Sequence, residues 1–436
     1  MNSSTFTFSD GSVTIIGGNF TASGIGDGND DDTIAIQAAL DAGGLVYIPK
    51  GVYLCGPLIA PAGIKIAGAG FGLSVIKLKP GSTGSLLTFA DASGAVISGI
   101  GFDADHANSP LGNNCVEILG TGADFIFDEV SFKNAKAAGF HQKGTYTNGT
   151  VKNCVATGNQ LDGVILTGSG MAIHGNTCKS NARFGILVTG ADALITGNRC
   201  NGNGKVNPGG TGIQSNGAGI GVVGGARAVA TGNTCSSNGD VANTLFSHGI
   251  QFNNVEGGTM SGNMCSYNSG SGLDFFMSPF GTCAGNQAIG NAVRGFEIDT
   301  ASGFTTVTGN VARLNVEIGI SIFNVIGAVV SSNVVNANGT GGTFANAMTG
   351  AANKPWGIAL HGGGNYGNFA VVTGNQLNGN KGSGANGVGL WVDPACIEVT
   401  AENNVFGGNT AQVSAKKSNF FSAASNRGIS YAALPA

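Results

Sequence analysis

Short apolar runs, each opened by a glycine, recur along most of the chain. In Gly163-Val164-Ile165-Leu166, Gly185-Ile186-Leu187-Val188, Gly249-Ile250-Gln251-Phe252, Gly295-Phe296-Glu297-Ile298, Gly319-Ile320-Ser321-Ile322 and Gly357-Ile358-Ala359-Leu360, the first and third residues after the glycine are apolar. A period of two is that of a strand with one buried face, so these positions point inward and the second and fourth point outward. Between these runs lies another motif, apolar, small or polar, Gly, Asn, ending at Asn176, Asn198, Asn233, Asn263, Asn310 and Asn375, with weaker copies ending at Asn153, Asn286, Asn333 and Asn404. Successive asparagines lie 23, 22, 35, 30, 23, 24, 23, 42 and 29 residues apart. The basal unit is therefore about 23 residues with loop insertions, the size of one coil of a parallel β-helix.

This pattern predicts an all-β, single-stranded parallel β-helix whose coils stack at roughly 4.8 Å. Each coil supplies a Gly-led strand, a second short strand, and a turn whose Asn takes left-handed backbone angles and stacks on the Asn of the next coil. Cys154, Cys178, Cys200, Cys235 and Cys265 follow the turn and read as small buried hydrophobes on one internal ladder. Asp30-Asp31-Asp32, followed by Thr33 to Leu40, predicts an acid-capped amphipathic helix covering the open end of the solenoid. The expected organisation is a lead-in over 1–30, a β-helix over 31–404 including a capping helix at 31–42, and a C-terminal cap or tail over 405–436.

Composition narrows the function. Of 436 residues 77 are Gly and only 10 are Pro, without a Gly-X-Y period, and 42% are hydrophobic, which excludes collagen and simple disorder. Charged residues make up 10%, with 24 acidic against 20 basic, so the clustered cations a nucleic-acid partner needs are missing. No apolar run is long enough to span a membrane as a helix. The first residues lack a basic, then apolar, export signal, which leaves the compartment open and an extracellular location consistent with the sequence. Nine cysteines without a C-x-x-C pair exclude a zinc or dithiol motif. No cofactor is implied.

Asp30 to Gly81, with Val46-Tyr47-Ile48-Pro49-Lys50-Gly51-Val52-Tyr53 and Ile66-Ala67-Gly68-Ala69-Gly70-Phe71-Gly72, resembles the pectate-lyase superfamily of right-handed parallel β-helices. That group includes mannuronan C5-epimerase modules and phage tailspike depolymerases. The resemblance to the epimerase module runs to about residue 190 and implies the fold and carbohydrate chemistry; by analogy with tailspikes it also implies a homotrimer. Epimerase modules carry Gly-Phe-Asp-Pro-His-Glu where this chain reads Gly139-Phe140-His141-Gln142-Lys143-Gly144, so the motif's carboxylates are replaced. Asp162 and Arg183 match an aspartate and an arginine of the module.

The outward columns hold two polar clusters. Position two after the strand glycines reads His141, Ile165, Leu187, Gly221, Gln251, Asp274, Glu297, Ser321, Ala359 and Trp391. Position four reads Lys143, Thr167, Thr189, Val223, Asn253, Phe276, Asp299, Phe323, His361 and Asp393. Asp274, Glu297 and Asp299 fall on neighbouring coils, with His248 and Arg294 just before two of the glycines. Three carboxylates so close cannot all ionise freely, and one is expected to have a raised pKa, as a general acid beside an ionised nucleophile or base requires. Solvated surface, or a structural Ca²⁺ site built from oxygen ligands, are the alternative readings. The insertions near 201–218, 239–247, 336–355 and 379–387 enter the same sheet edge and could wall a groove. His361 and Trp391, with Trp356 and Tyr366, form either a sugar-stacking platform or ordinary packing. The other cluster is His141, Lys143, Asp162 and Arg183, with Tyr146, which suits β-elimination or epimerisation of uronates or else marks an eroded site. Asp103, Asp105 and His106 read as a loop.

The leading expectation is a glycoside hydrolase acting on a polysaccharide. Glu297 would be the acid, Asp274 or Asp299 the nucleophile or base, and His248, Arg294, Gln251 and Asn253 would position the sugar. The alternatives are a lyase or C5-epimerase at His141, Lys143 and Arg183, and a non-catalytic glycan-binding solenoid.

Overall fold

Strands of three to nine residues recur in a cycle of three, because each apolar run is too short to bury itself and must stack on its copy in the next coil. The computed structural model describes residues 13–17, 20–24, 26–205, 215–240, 246–339, 355–362, 369–380, 387–415, 420–422 and 425–428. They fall in two compact units, Met1–Arg199 and Cys200–Ala436. In the first unit Phe140–Gln142, Val164–Ser169 and Ile186–Thr189 pair in parallel in one sheet, and Ser131–Lys133, Val155–Thr157 and Thr177–Lys179 in another. A third contains Ile126–Asp128, Thr150–Lys152 and Ala172–His174. The second unit repeats the scheme. Its sheet of Gly-containing strands runs through Phe246–Asn253, Leu273–Phe276, Arg294–Asp299, Ile318–Phe323, Trp356–His361 and Val388–Val392. This is the expected parallel β-helix.

Inward positions fill the core as the alternation predicts. In the second unit Ile250, Phe252, Phe275 and Phe296 are fully buried. The first unit packs Phe125, Phe127, Phe132 and Phe140 together, the closest rings, Phe127 and Phe140, lying 4.7 Å apart between centroids.

The turn asparagines form the expected ladder, but glycine, not asparagine, bends the chain. Gly175, Gly232 and Gly309 take φ of 64°, 64° and 63°, the left-handed region where a missing Cβ removes the strain. Asn153 takes it itself, at 54°. The next asparagine is buried and bonds along the stack: the backbone N–H and Nδ2 of Asn286 donate to Oδ1 of Asn310 at 2.8 and 3.0 Å, and Asn310 Nδ2 donates to Asn333 Oδ1 at 3.0 Å. A second ladder, unforeseen, joins Asn238, Asn268, Asn291, Asn315, Asn338, Asn380 and Asn409. Each of its members stands five residues after one of the first ladder, as 263 and 268 or 286 and 291 illustrate.

Three local expectations are corrected. Cys235 and Cys265 are register partners, but Cys178 pairs with Ala156, so Cys154 lies buried beside the ladder rather than on it. The helix spans Thr33–Ala42, and Asp32 makes no side-chain capping bond. The acidic run instead forms the strand Asp27–Asp31, paired with Gly51–Cys55, and Lys79 bonds Asp31 at 2.7 Å. The helix buries Ile36, Ala39 and Leu40. Within the lead-in, Val13–Gly17 and Phe20–Gly24 make an antiparallel hairpin.

Replacing Asn310 with Ala strands two buried donors of Asn286 and should cost about 2–4 kcal/mol. Urea denaturation of the variant against wild type checks this, and an unchanged midpoint would mean that the ladder contributes no stability there.

Candidate functional site

Parallel pairing without slip is what assembles the site. Gln251, Asp274, Glu297, Ser321, Ala359 and Trp391 are successive register partners, as are Asn253, Phe276, Asp299, Phe323 and His361. Both outward columns are therefore as the sequence predicts. A further column runs through His248, Ser271 and Arg294, the residues immediately before Gly249, Gly272 and Gly295. Together these columns line a cavity of about 300 Å³, within the range of small-molecule sites, closed by Phe246, Phe276, Val293 and Phe323. The contribution of Ser271 was missed by the sequence reading, although its place before Gly272 matches that of His248 and Arg294.

The carboxyls of Glu297 and Asp274 sit in different surroundings. Glu297 accepts a hydrogen bond from Ser271 Oγ at 2.6 Å and pairs with the Arg294 guanidinium, contacts that suit an ionised carboxylate. Asp274 is only 4% exposed, and burial, reinforced by the nearby Asp299 charge, pushes its carboxyl up to about 7 despite a 2.9 Å bond from Gln251 Nε2. Of these two carboxyls it is therefore Asp274 whose surroundings strengthen its hold on a proton. His248 Nε2 lies 3.9 Å from the same Asp274 oxygen. The Ser271 backbone N–H donates to His248 Nδ1 at 3.2 Å, which leaves the ring proton on Nε2, facing Asp274. Burial and the Arg294 charge hold this imidazole down to about 4, so it is neutral. Burial also lowers the Arg294 guanidinium from its ordinary value against the pull of Glu317, Asp299 and Asp274, but a guanidinium stays protonated. Asp299 accepts from Thr300 Oγ1 at 2.8 Å. Among the described residues no group of three or more His, Cys, Asp or Glu is placed to hold a metal ion, and Arg294 already gives Glu297 its counter-charge.

Beyond Phe323 the columns turn aromatic. His361 lies 5.6 Å from Phe323 and 4.9 Å from Trp391 between centroids, and the indoles of Trp356 and Trp391 stack at 4.2 Å. Trp356 and His361 are buried, so these rings pack on one another instead of forming an open platform. Tyr366 lies outside the described residues, as does most of each proposed groove wall, at 206–214, 241–245, 340–354 and 381–386.

In the first unit, His141 and Gln142 follow Phe140 on a strand whose register partners are Val116–Ile118 and Val164–Ile165. Lys143 pairs with Glu117, a buried carboxylate that also accepts from Ser85 Oγ at 2.9 Å. Glu117 sits one coil before His141 in the same column, and its strand opens on Cys115 rather than glycine, which hid it from the Gly-led pattern. Asp162 is fully buried and bound by Arg183, whose Nε donates at 2.9 Å. Burial and the Lys143 charge lower the His141 imidazole, which keeps it neutral. Tyr146 does not belong to this group: it is buried, and its hydroxyl bonds Leu119 O at 3.0 Å and the Ala92 N–H at 2.8 Å. Asp103 ends the strand Gly101–Asp103 rather than lying in a loop, and only Asp105 and His106 follow it outside a strand; Asp103 and Asp105 pair with Lys133 and Lys77, while His106 bonds Asn134 O and Gln160.

Residues 19–226 match the family described as Rhamnogalacturonase A/epimerase, pectate lyase-like. Mannuronan C5-epimerase AlgE4 of Azotobacter vinelandii is 32% identical over 166 residues, which cover 32% of this chain and 30% of that protein. Alginate lyase 7 of the same organism is 32% identical over 165 residues, covering 32% of this chain and 19% of the relative. The match thus spans less than a third of either relative. The AlgE4 A-module structure superposes with a TM-score of 0.54 at 18% identity, covering 90% of this chain and 95% of that one. The enzymatically active domain of bacteriophage CBA120 tailspike protein 2 gives 0.50 at 13%, covering 71% and 46%. At such identities the structures establish the fold alone. Residues 19–226 are thus similar to the pectate lyase-like family, and the chain has the parallel β-helix fold.

Proposed function

We propose that this chain is a polysaccharide-active enzyme of the lyase or C5-epimerase class, acting on uronate units. The observation that carries this reading is the identity of about a third with proteins named mannuronan C5-epimerase and alginate lyase. Both reactions begin by removing the proton at C5 of a uronate, which needs a neutral base and cations to offset the carboxylate. His141 is a half-buried neutral imidazole, with Lys143 two residues on and Arg183 nearby, paired with Glu117 and Asp162 respectively. The carboxylates missing from the epimerase stretch leave His141 as the base. Incubation with polymannuronate should yield either an unsaturated, ultraviolet-absorbing end or a changed uronate composition by NMR. His141→Ala should slow it by about 10²-fold or more. Full activity in that variant would remove His141 from the chemistry.

The cavity of the second unit favours a second reading, glycoside hydrolysis. The Asp274 carboxyl, raised to about 7 by burial, stands beside Glu297 and Asp299, an arrangement that suits a general acid. Asp274 and Asp299 stand diagonally on adjacent strands. Two carboxyls so placed, rather than directly opposite, suit an inverting reaction, with Asp299 as the base that activates water. A reducing-end assay over neutral polysaccharides should then show release with inverted anomeric configuration, lost in Asp274→Asn.

The Asp274 pKa is itself testable through stability. Its folded value near 7 exceeds the ordinary 3.8, so between these values the unfolded chain releases a proton that the folded chain retains. Wild type should therefore lose stability relative to Asp274→Asn as pH rises from about 4 to 7, and no further above. His248 works in the opposite sense, since its neutral folded form costs stability as pH falls from the ordinary 6.5 towards 4. The difference between the two proteins isolates the carboxyl. A gap in urea midpoint that does not change with pH would mean that Asp274 titrates normally.

A further inference from the structure

The charges around the second unit's cavity do not balance. Glu297 and Asp299 are carboxylates on its lining, and Asp274 adds a further partial charge once it titrates. Arg294 is the lining's cation among the described residues, and its guanidinium is committed to Glu297, with Glu317, Asp299 and Asp274 also drawing on it. His248 is neutral and presents Nε2–H to Asp274, and the Gln251 amide is likewise taken up by Asp274. Among the described residues no lining cation is left over to meet a carboxylate on a ligand.

What remains available suits hydroxyl groups. Asp299 offers carboxylate acceptors, and Asn253 lines the same wall with an amide that can donate or accept. Arg294 is 6% exposed, and its Nε–H is a buried donor with no hydrogen-bond partner. Such a group is costly to leave unmet, and a ligand oxygen would satisfy it. Phe276 and Phe323 flank Asp299 as its register partners on the coils to either side, so apolar faces border the carboxylate. An apolar wall beside a few fixed polar groups is the usual make-up of a small-molecule site.

We propose that this cavity receives a sugar unit that carries no carboxylate, held through its hydroxyl groups against Phe276 and Phe323, and that it rejects uronates. The proposal rests on the second reading above, that a sugar enters this cavity. A uronate carboxylate would lie among Asp274, Glu297 and Asp299 in a partly desolvated pocket, where like charges repel far more strongly than in water. Glu297 sets the preference by neutralising Arg294. Removing the Glu297 charge should free the guanidinium and reverse the selectivity.

The test reads binding, independently of cleavage. The chain has five histidines, and His248 lies in the cavity lining, so its ring signals report occupancy in an NMR titration of the full chain. The probes are neutral gluco-, galacto- and manno-oligosaccharides against oligomannuronate and oligogalacturonate. At least one neutral series should shift the His248 signals of wild type, with uronates weaker by about tenfold or more. Glu297→Gln should narrow or invert that ratio by a similar factor. Asp299→Asn, a second variant, should raise uronate affinity without disturbing the Arg294 pair. Uronates that move His248 in wild type as strongly as neutral sugars would overturn the charge preference and leave the hydrolase reading standing. Neutral sugars that leave His248 unmoved would overturn both. Selectivity unchanged in both variants would show that Glu297 and Asp299 do not set it.

Discussion

Register is the constraint on which everything else in each unit depends. A parallel strand pair can slide by one residue and turn every inward side chain outward. The buried amides oppose that slip. Each ladder asparagine receives a backbone N–H and an amide N–H from one neighbouring coil and donates to the next, as Asn263, Asn286 and Asn310 do in turn. Asn286 Nδ2 also donates to the Met260 carbonyl, within hydrogen-bond range at 2.9 Å. A slipped coil would leave these groups unpaired in the interior, where the loss is greatest. The residue before each of these asparagines, Gly262, Gly285 and Gly309 here but Ser332 or Tyr267 elsewhere, takes the left-handed bend and leaves the asparagine free to turn inward.

Once register is fixed, outward chemistry is a matter of columns. Residues of like position become neighbours at roughly 4.8 Å, so a few substitutions on successive coils suffice to build a polar patch. The same geometry forces like charges together. Asp274 lies between Gln251 and Glu297 in its column, with Asp299 diagonal to it. The chain relieves the crowding by pairing Glu297 with Arg294 and by raising the Asp274 carboxyl to about 7. Burial is the main cause of that rise, and the stacked Asp299 charge adds to it.

Much of this was legible in the sequence. The strand glycines and the Gly-Asn turns announced both the coil and its orientation, and the columns read from them match the pairing residue for residue from Gln251 to Trp391. The second ladder was equally visible at its constant offset, but asparagine in loops is common and the eye passes over it. What could not be read is which carboxylate yields. That depends on Ser271 and Arg294 both reaching Glu297, a choice made by side-chain conformation rather than by position. Asp27 to Asp31 misled because an acidic run before an apolar one has the pattern of a helix start, whereas the strand Gly51–Cys55 claims its backbone. Tyr146 misled for a related reason. Its alternation placed it near His141, and its hydroxyl instead found buried partners in Leu119 and Ala92.

The two histidines show how one side chain is fitted to two tasks. Both imidazoles are neutral for the same causes, burial and a neighbouring cation, Lys143 for His141 and Arg294 for His248. Their free nitrogens differ. His248 receives the Ser271 N–H on Nδ1, so its remaining nitrogen carries the proton, at 3.9 Å from Asp274 and beyond hydrogen-bond range. It therefore has no free lone pair with which to serve as a base. His141 is half-buried on an outward column, and among the described residues no hydrogen bond fixes which nitrogen holds its proton, so its lone pair is open to a substrate. A base must have an unoccupied nitrogen as well as a suitable pKa. On that criterion His141 meets the requirement and His248 does not.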